Sequence, residues 1–266
     1  MRKRFLLLFL CLCLIVVITS ACGDGGANTP PSYPFIPVPT PTEPTPTPTP
    51  TVSPAPEPTP TPENPFANAQ VGDFVEFGHY QQTAEGGDET PIEWQVLARD
   101  DNNKLILAIS RYGFDAKRFD DDSNVWSSSE ICTWLNSDFY NTAFDDTEKG
   151  FIKPVGIVFN TDCSDYYDFN SATYNVFLLS KAEAENANYF VDGTGNCKPT
   201  DYAVKNGAYN DNNGFGYWWV RTAYPPYSTY VYAYVYSEGD PNEGIVDYFY
   251  VKSTYFVARP ALWINL

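Results

Sequence analysis

The 266-residue chain carries 33 Asp and Glu against 16 Lys and Arg, a formal net charge of −17, and a single histidine. So acidic a surface repels nucleic acid, and no basic stripe offsets it. His79, set between a strand and a turn, argues against a catalytic triad or a His-rich metal site.

Residues 1–21 have the form of an export signal: Arg2, Lys3 and Arg4 precede an apolar run from Phe5 to Ile18, and Thr19-Ser20-Ala21 supply the small residues of a cleavage site. The next residue, Cys22, resembles the lipid-accepting cysteine of a bacterial lipobox, with Thr19 where that motif usually has leucine. This implies a lipid-anchored protein on the extracytoplasmic face of a cell membrane. Residues 22–69 then read as a disordered linker. Sixteen of the 23 prolines fall between Pro30 and Pro65, so this stretch cannot pack a core and is expected to extend as a spacer of roughly 3.1 Å per residue. Once the signal is gone and Cys22 is lipidated, Cys132, Cys163 and Cys197 remain, an odd number without CxxC spacing that implies no complete disulfide framework.

The expected globular domain runs from residue 70 to residue 266. Strands are predicted over Val71–Phe77, Ile92–Ala98 and Lys104–Ser110, with Glu85-Gly86-Gly87-Asp88 turning between the first two. Ser127 with Glu130, and Ser180 with Glu183, carry capping-box spacing. The first predicts a helix burying Ile131, Trp134 and Leu135, the second one burying Ala184, Ala187 and Phe190. A third helix is expected from Thr200 to about Asn206, ended by Gly207. Beyond Gly216 the pattern is all strand and loop: Tyr217–Thr222, Tyr230–Tyr236, Ile245–Val251 and Val257–Ile264. Antiparallel strands with a few segregated helices define an α+β class.

The ordered segments GDFVEFGHY, TPIEWQVL, ISRYGFDAK, TWLNSDFYNTAF, VFLLSKAEAE, CKPTDYAVKNGA, WWVRT and ARPALWINL resemble a family of domains of unknown function found in lipoproteins and surface proteins of anaerobic gut bacteria. The likeness covers about Val71 to Leu266. Departures are local: His79 and Gln81 stand where that family usually has arginine and proline, and Thr222 where it often has serine. The ending WWxR[ST]…RPALW also resembles the C-type-lectin-like variable proteins of diversity-generating retroelements. That second resemblance implies a lectin-like fold in which Trp218, Trp219, Arg221, Arg259, Pro260 and Trp263 are framework, while the positions between them are displayed.

Within that displayed segment, 222–257, lie nine of the 20 tyrosines. Tyr230, Tyr232, Tyr234 and Tyr236 alternate with Val231, Ala233 and Val235, so an extended strand would give one apolar face and one phenolic face. Tyrosine brings a large rigid contact area and an adaptable hydroxyl. The expected ligand-binding set is therefore Tyr224, Tyr227, Tyr230, Tyr232, Tyr234, Tyr236, Asp247, Tyr248, Tyr250 and Tyr255, with Ser228 and Thr229 adding hydrogen bonds. Apart from Glu238, Glu243 and Lys252, the segment holds only residues reachable by rewriting adenines of asparagine codons. The expected partner is a protein or glycan on another cell or phage.

Alternatives stay open at this point. High strand propensity alone can make a solvated sheet tyrosine-rich. The face could instead be a fixed carbohydrate-binding site, or pack within a structural surface domain. A formylglycine-generating-type enzyme would need a cysteine pair, and Cys132 and Cys197 lack its local motif. No cofactor is expected. Calcium is the one candidate, through Asp211, Asn212 and Asn213 beside Gly214 or through Asp120-Asp121-Asp122, although neither spacing completes a calcium motif.

Overall fold

The computed structural model describes residues 63–159, 165–190, 195–236 and 244–266, with Tyr236, Gly244 and Ile245 described in their backbone alone. Three strands come first: β1 (Phe74–Tyr80), β2 (Thr90–Asp100) and β3 (Leu105–Ser110), each antiparallel to the next. The first turn uses Gly86 and Gly87 at φ 72°, a conformation side chains resist, and Asp88 closes it by accepting from the Gln82 and Thr83 amides. After β4 (Tyr112–Ala116) come α1 (Glu130–Trp134), a π-turn at Leu135–Phe139, α2 (Tyr140–Ala143), α3 (Asp146–Phe151) and β5 (Ile152–Lys153). A small ribbon pairs β6 (Gly156–Val158) with β7 (Tyr166–Asp168), and α4 (Lys181–Ala184), β8 (Lys198–Pro199) and α5 (Asp201–Lys205) follow. The last elements are β9 (Trp218–Ala223), β10 (Tyr230–Tyr236), β11 (Gly244–Tyr250), β12 (Val257–Ala258) and β13 (Ala261–Asn265).

Two larger sheets result, ordered β1-β2-β3-β13-β5 and β11-β10-β9-β12-β4-β8. Most neighbours are antiparallel, while β12 runs parallel to β9 and β8 parallel to β4. With its few short helices the domain is α+β. In β3, LILAIS is buried throughout, because it lies between β2 and β13 with both faces covered. Aromatic side chains fill the space against the helices: Phe77 meets Phe144 at 5.3 Å, Tyr80 meets Phe139 at 5.0 Å, and Trp94 donates its indole N–H to the Phe77 carbonyl.

The predicted single strand over Val257–Ile264 is broken at Arg259-Pro260, which hands the chain from one sheet to the other. Proline has no N–H for a ladder, and its carbonyl accepts instead from the Ser110 amide. Buried Arg259 donates Nε to the Ser110 carbonyl and Nη1 to the Gly195 carbonyl, with the Trp218 ring 5.0 Å beneath its guanidinium.

Several expectations need correction. Packing begins before residue 70: Phe66 is fully buried, and Asn64 donates to the Asn265 carbonyl. Ser129, not Ser127, caps α1, its side chain accepting from the Cys132 amide, because Ser127 belongs to a preceding 3-10 turn. Ile131 and Leu135 are buried as expected, whereas Trp134 is half-exposed. The Ser180–Glu183 box caps α4 as predicted, but the helix ends at Ala184, so Ala187 falls in an exposed 3-10 turn. Residues 1–62, including Cys22 and the proline-rich stretch, lie outside the described residues, as does Cys163. Among the described residues no helix is long and apolar enough to cross a membrane.

Candidate interaction surface

The alternation of YVYAYVY makes β10 a strand whose Val231 and Ala233 are fully buried. Its partner β11 pairs Tyr230 with Tyr250 and Tyr232 with Tyr248, so four phenols from two strands share one face. The turn before β10 adds Tyr224 and Tyr227. These six rings form one contiguous cluster. Tyr224 stacks on Tyr248 at 4.1 Å and 11° and meets Tyr232 edge-on at 5.4 Å, while Tyr230 touches Tyr227, Tyr248 and Tyr250 at 5.7–5.9 Å. Tyr227, Tyr248 and Tyr250 are 58%, 43% and 42% exposed, so the cluster stands in water. A shared aromatic surface of this kind is uncommon outside interaction sites.

Three members of the expected set are described outside this cluster. Tyr234 is on the same strand face, but it is buried: it stacks on Trp218 at 5.1 Å and 14°, and its hydroxyl accepts from the Gly195 amide at 2.8 Å. Alternation sets the face on which a ring lies, not whether a later segment covers it. Asp247 pairs with the buried Ala233, so strand alternation turns it to the opposite face from Tyr248. Tyr255 packs on Phe256 at 4.7 Å and joins a separate group with Tyr217. The Tyr236 side chain is outside the described residues.

The framework set is buried. Trp218, Trp219, Arg221, Arg259, Pro260 and Trp263 all lie in the interior. Arg221 pairs its Nε with Asp165 at 2.7 Å and its Nη1 with Glu183 at 2.8 Å, and donates to the Leu178 carbonyl. Glu183 also accepts from the Tyr167 hydroxyl and the Ser180 amide. Burial alone would raise the Glu183 carboxyl, but the Arg221 charge and these hydrogen bonds hold it below its ordinary 4.5. This cluster fixes α4 against β9, and α4 in turn places Lys181 5.4 Å over the Tyr232 ring. On the other flank Lys252 pairs with Asp121, which also meets Arg118. For Tyr224, partial burial and then the neighbouring Tyr248 and Tyr232 push the hydroxyl above its ordinary 10.0.

One supporting residue has no signature in the sequence. Asn124, 8% exposed, sends its side-chain amide to the carbonyls of Tyr224, Tyr227 and Tyr230 at 3.3, 2.9 and 2.7 Å, while its backbone amide donates to the Ser228 carbonyl. One buried amide thereby sets the turn that carries two of the six rings. Asn124→Asp keeps the shape but aims an acceptor at three carbonyl oxygens. We expect it to lower stability by about 2 kcal/mol in urea titration, against a smaller loss for Asn124→Ala, which leaves the carbonyls unpaired but adds no repulsion.

Two of the calcium candidates, Asp120 and Asp211, hold their own loops. Asp120 accepts from the amides of Asp122, Ser123 and Glu130, and Asp211 accepts from those of Asn213 and Phe215. Among the described residues no three His, Cys, Asp or Glu side chains converge on one point. Cys132 and Cys197 are buried free thiols. Burial pushes Cys132 up to about 12, and raises Cys197 against the opposing pull of Arg259.

The fold and this surface define an α+β domain with a clustered phenolic face. Residues 101–266 match the model of a family described as a domain of unknown function, DUF6273, and the chain belongs to that family. The match begins at residue 101 rather than at Val71. No curated protein matches the chain, and no solved structure does.

Proposed function

We propose that this chain is a binding protein, lipid-anchored through Cys22 and displayed outside the cell, that recognises a protein partner through the cluster Tyr224, Tyr227, Tyr230, Tyr232, Tyr248 and Tyr250. The observation that carries this reading is the contiguity of six mutually packed rings at the water boundary. Rings held by one another lose little further freedom on docking, which favours affinity. Their hydroxyls, with Ser228 and Thr229 in the intervening turn, supply adaptable hydrogen bonds.

A protein partner is preferred to a glycan on one geometric ground. A sugar stacks on an open aromatic face, and Tyr224 and Tyr248 cover one face of each other at 4.1 Å. A knobbed surface of ring edges and hydroxyls suits the side chains of another protein. The lectin-like architecture and a retroelement-rewritten 222–257 segment belong to the same reading. An imperfect repeat of that segment beside a reverse-transcriptase gene, differing at template adenines, would support the rewriting; without it the face is a fixed site.

An alanine series tests the surface. Against a partner captured from surface proteins and then purified, Tyr248→Ala or Tyr232→Ala should weaken binding by about 2 kcal/mol, roughly thirtyfold, with unchanged thermal unfolding. Unchanged affinity across all six single variants would remove the assignment. Preferential retention of a glycan array, lost in the same variants, would transfer the site to a carbohydrate ligand.

A further inference from the structure

The phenolic face ends at an open strand edge. β11 is the last strand of its sheet, and among the described residues no strand pairs with its outer side. The ladder shows which backbone groups point there. Val251 donates to the Thr229 carbonyl, and Tyr224 donates to the Tyr230 carbonyl, so the even-numbered residues of β10 bond toward β9 and the odd-numbered ones toward β11. In antiparallel pairing N–H and C=O of one residue lie on the same side. The groups of Val246, Tyr248 and Tyr250 therefore face outward. Two are covered by the chain itself: the Tyr248 amide donates to the Asp247 carboxylate at 2.8 Å, and the Tyr250 carbonyl accepts from the Ser253 amide.

Resting on the proposed protein-binding role, we infer that the partner engages this domain as an extended strand added to the outer edge of β11. The Asp247 carboxylate occupies the place where an incoming carbonyl would accept the Tyr248 amide, and an exposed side chain can swing away from it. An added strand continues the sheet, so its alternate side chains fall beside Tyr248 and Tyr250, on the phenolic face. Affinity would then come from main-chain hydrogen bonds and specificity from the rings.

Charge selects the occupant. Among the described residues Asp247 on the edge strand makes no ion pair, and the chain carries 33 acidic against 16 basic residues. A second copy pairing β11 to β11 would bring two acidic domains and two Asp247 carboxylates together, which repels. A foreign strand with apolar side chains on one face and a lysine or arginine opposite Asp247 satisfies both the edge and the charge.

The probe is a phage-displayed library of random twelve-residue peptides, selected on the full chain and resynthesised as free peptides. Selected sequences should alternate apolar residues and carry Lys or Arg, and on binding the amides of Val246 and Tyr248 should gain protection from hydrogen exchange. Val246→Pro removes one outward N–H at an edge position where proline is tolerated, and should weaken binding at least tenfold while leaving unfolding unchanged. If that substitution perturbs β11, Asp247→Lys supplies the second test, by reversing the preference for basic peptides. Peptides lost with Tyr248→Ala but indifferent to Val246→Pro, with no amide protection, would overturn strand addition and leave the phenolic surface standing. Peptides indifferent to both, or none selected, would overturn both. Edge protection in the free protein with a dimeric mass would make the occupant a second copy and overturn this inference.

Discussion

Replacing Arg221 with methionine should lower unfolding free energy by about 3–5 kcal/mol at neutral pH. The loss comes less from the missing ion pairs than from what they leave behind. Arg221 is 1% exposed, and its two carboxylate partners, Asp165 and Glu183, have side chains 3% and 15% exposed. Without the guanidinium both anions remain in a medium that solvates them poorly. Glu183→Gln in the same background should recover part of the loss, because it removes one uncompensated charge.

The pH dependence gives a sharper readout. In the native protein the Glu183 carboxyl is held below 4.5, so its stabilising contribution is complete above that value and declines as pH falls through the lower folded one. In Arg221→Met the sign reverses: uncompensated burial raises the folded value, and the neutral acid is the tolerated form. The difference between the two proteins should therefore shrink as pH falls toward 4. Urea titrations at pH 7, 5 and 4 measure this, and a penalty independent of pH would show that packing, not charge, carries the effect.

Trp218→Ala should cost about 3–5 kcal/mol, the usual range for emptying a fully buried tryptophan site. Three contacts disappear together. The indole stacks on Tyr234, donates Nε1 to the Gly195 carbonyl at 3.0 Å and lies beneath the Arg259 guanidinium. Tyr234 then loses the ring that supports it, and β10 loses its anchor from below. Hydrogen exchange should consequently accelerate at Tyr232 and Tyr234 beyond the change at Ile106 or Ile109, which lie in the other sheet. Trp218→Phe, which keeps an apolar ring but no donor, should retain more than half of the lost stability. Equal acceleration in both sheets would mean that the domain unfolds as one unit, without a local anchor.

The parts legible in the sequence are those where one local rule and the tertiary environment agree. β10 has its predicted bounds because YVYAYVY alternates perfectly and its apolar side meets the core. α5 begins after Thr200 and is followed by Gly207 at φ 101°, as its terminal residues indicate. The Asp145–Glu148 box that starts α3 carries the same spacing as Ser180–Glu183, but with an acid as its cap and no buried residue in the helix it stands out less from the surrounding acidic sequence. β5, β8 and β12 have two residues each, too few for any period to register.

At the surface, alternation assigns rings to a face and cannot reveal a covering segment. Tyr234 is accordingly indistinguishable from Tyr232 until Gly195 is placed against it: a Cβ there would lie 2.6 Å from the ring, so only glycine lets the chain approach so closely. Asn124 is silent for a different reason. Its role depends on three carbonyls about one hundred residues away, and nothing beside Ser123 and Val125 marks it.

The Arg259-Pro260 crossover has a mechanical consequence. Asn64 is tied to Asn265 in β13, whereas the phenolic cluster rides on β10 and β11 at the far end of the other sheet. Under the proposed anchored binding role, a pull on Asn64 opposed by a captured partner would load β13, the guanidinium bridging Ser110 and Gly195, and the pairing of β12 with β9. Pulling in that direction would load several interstrand bonds at once, and the guanidinium, which shares Trp218 and Gly195 with Tyr234, would brace the strand beneath the rings.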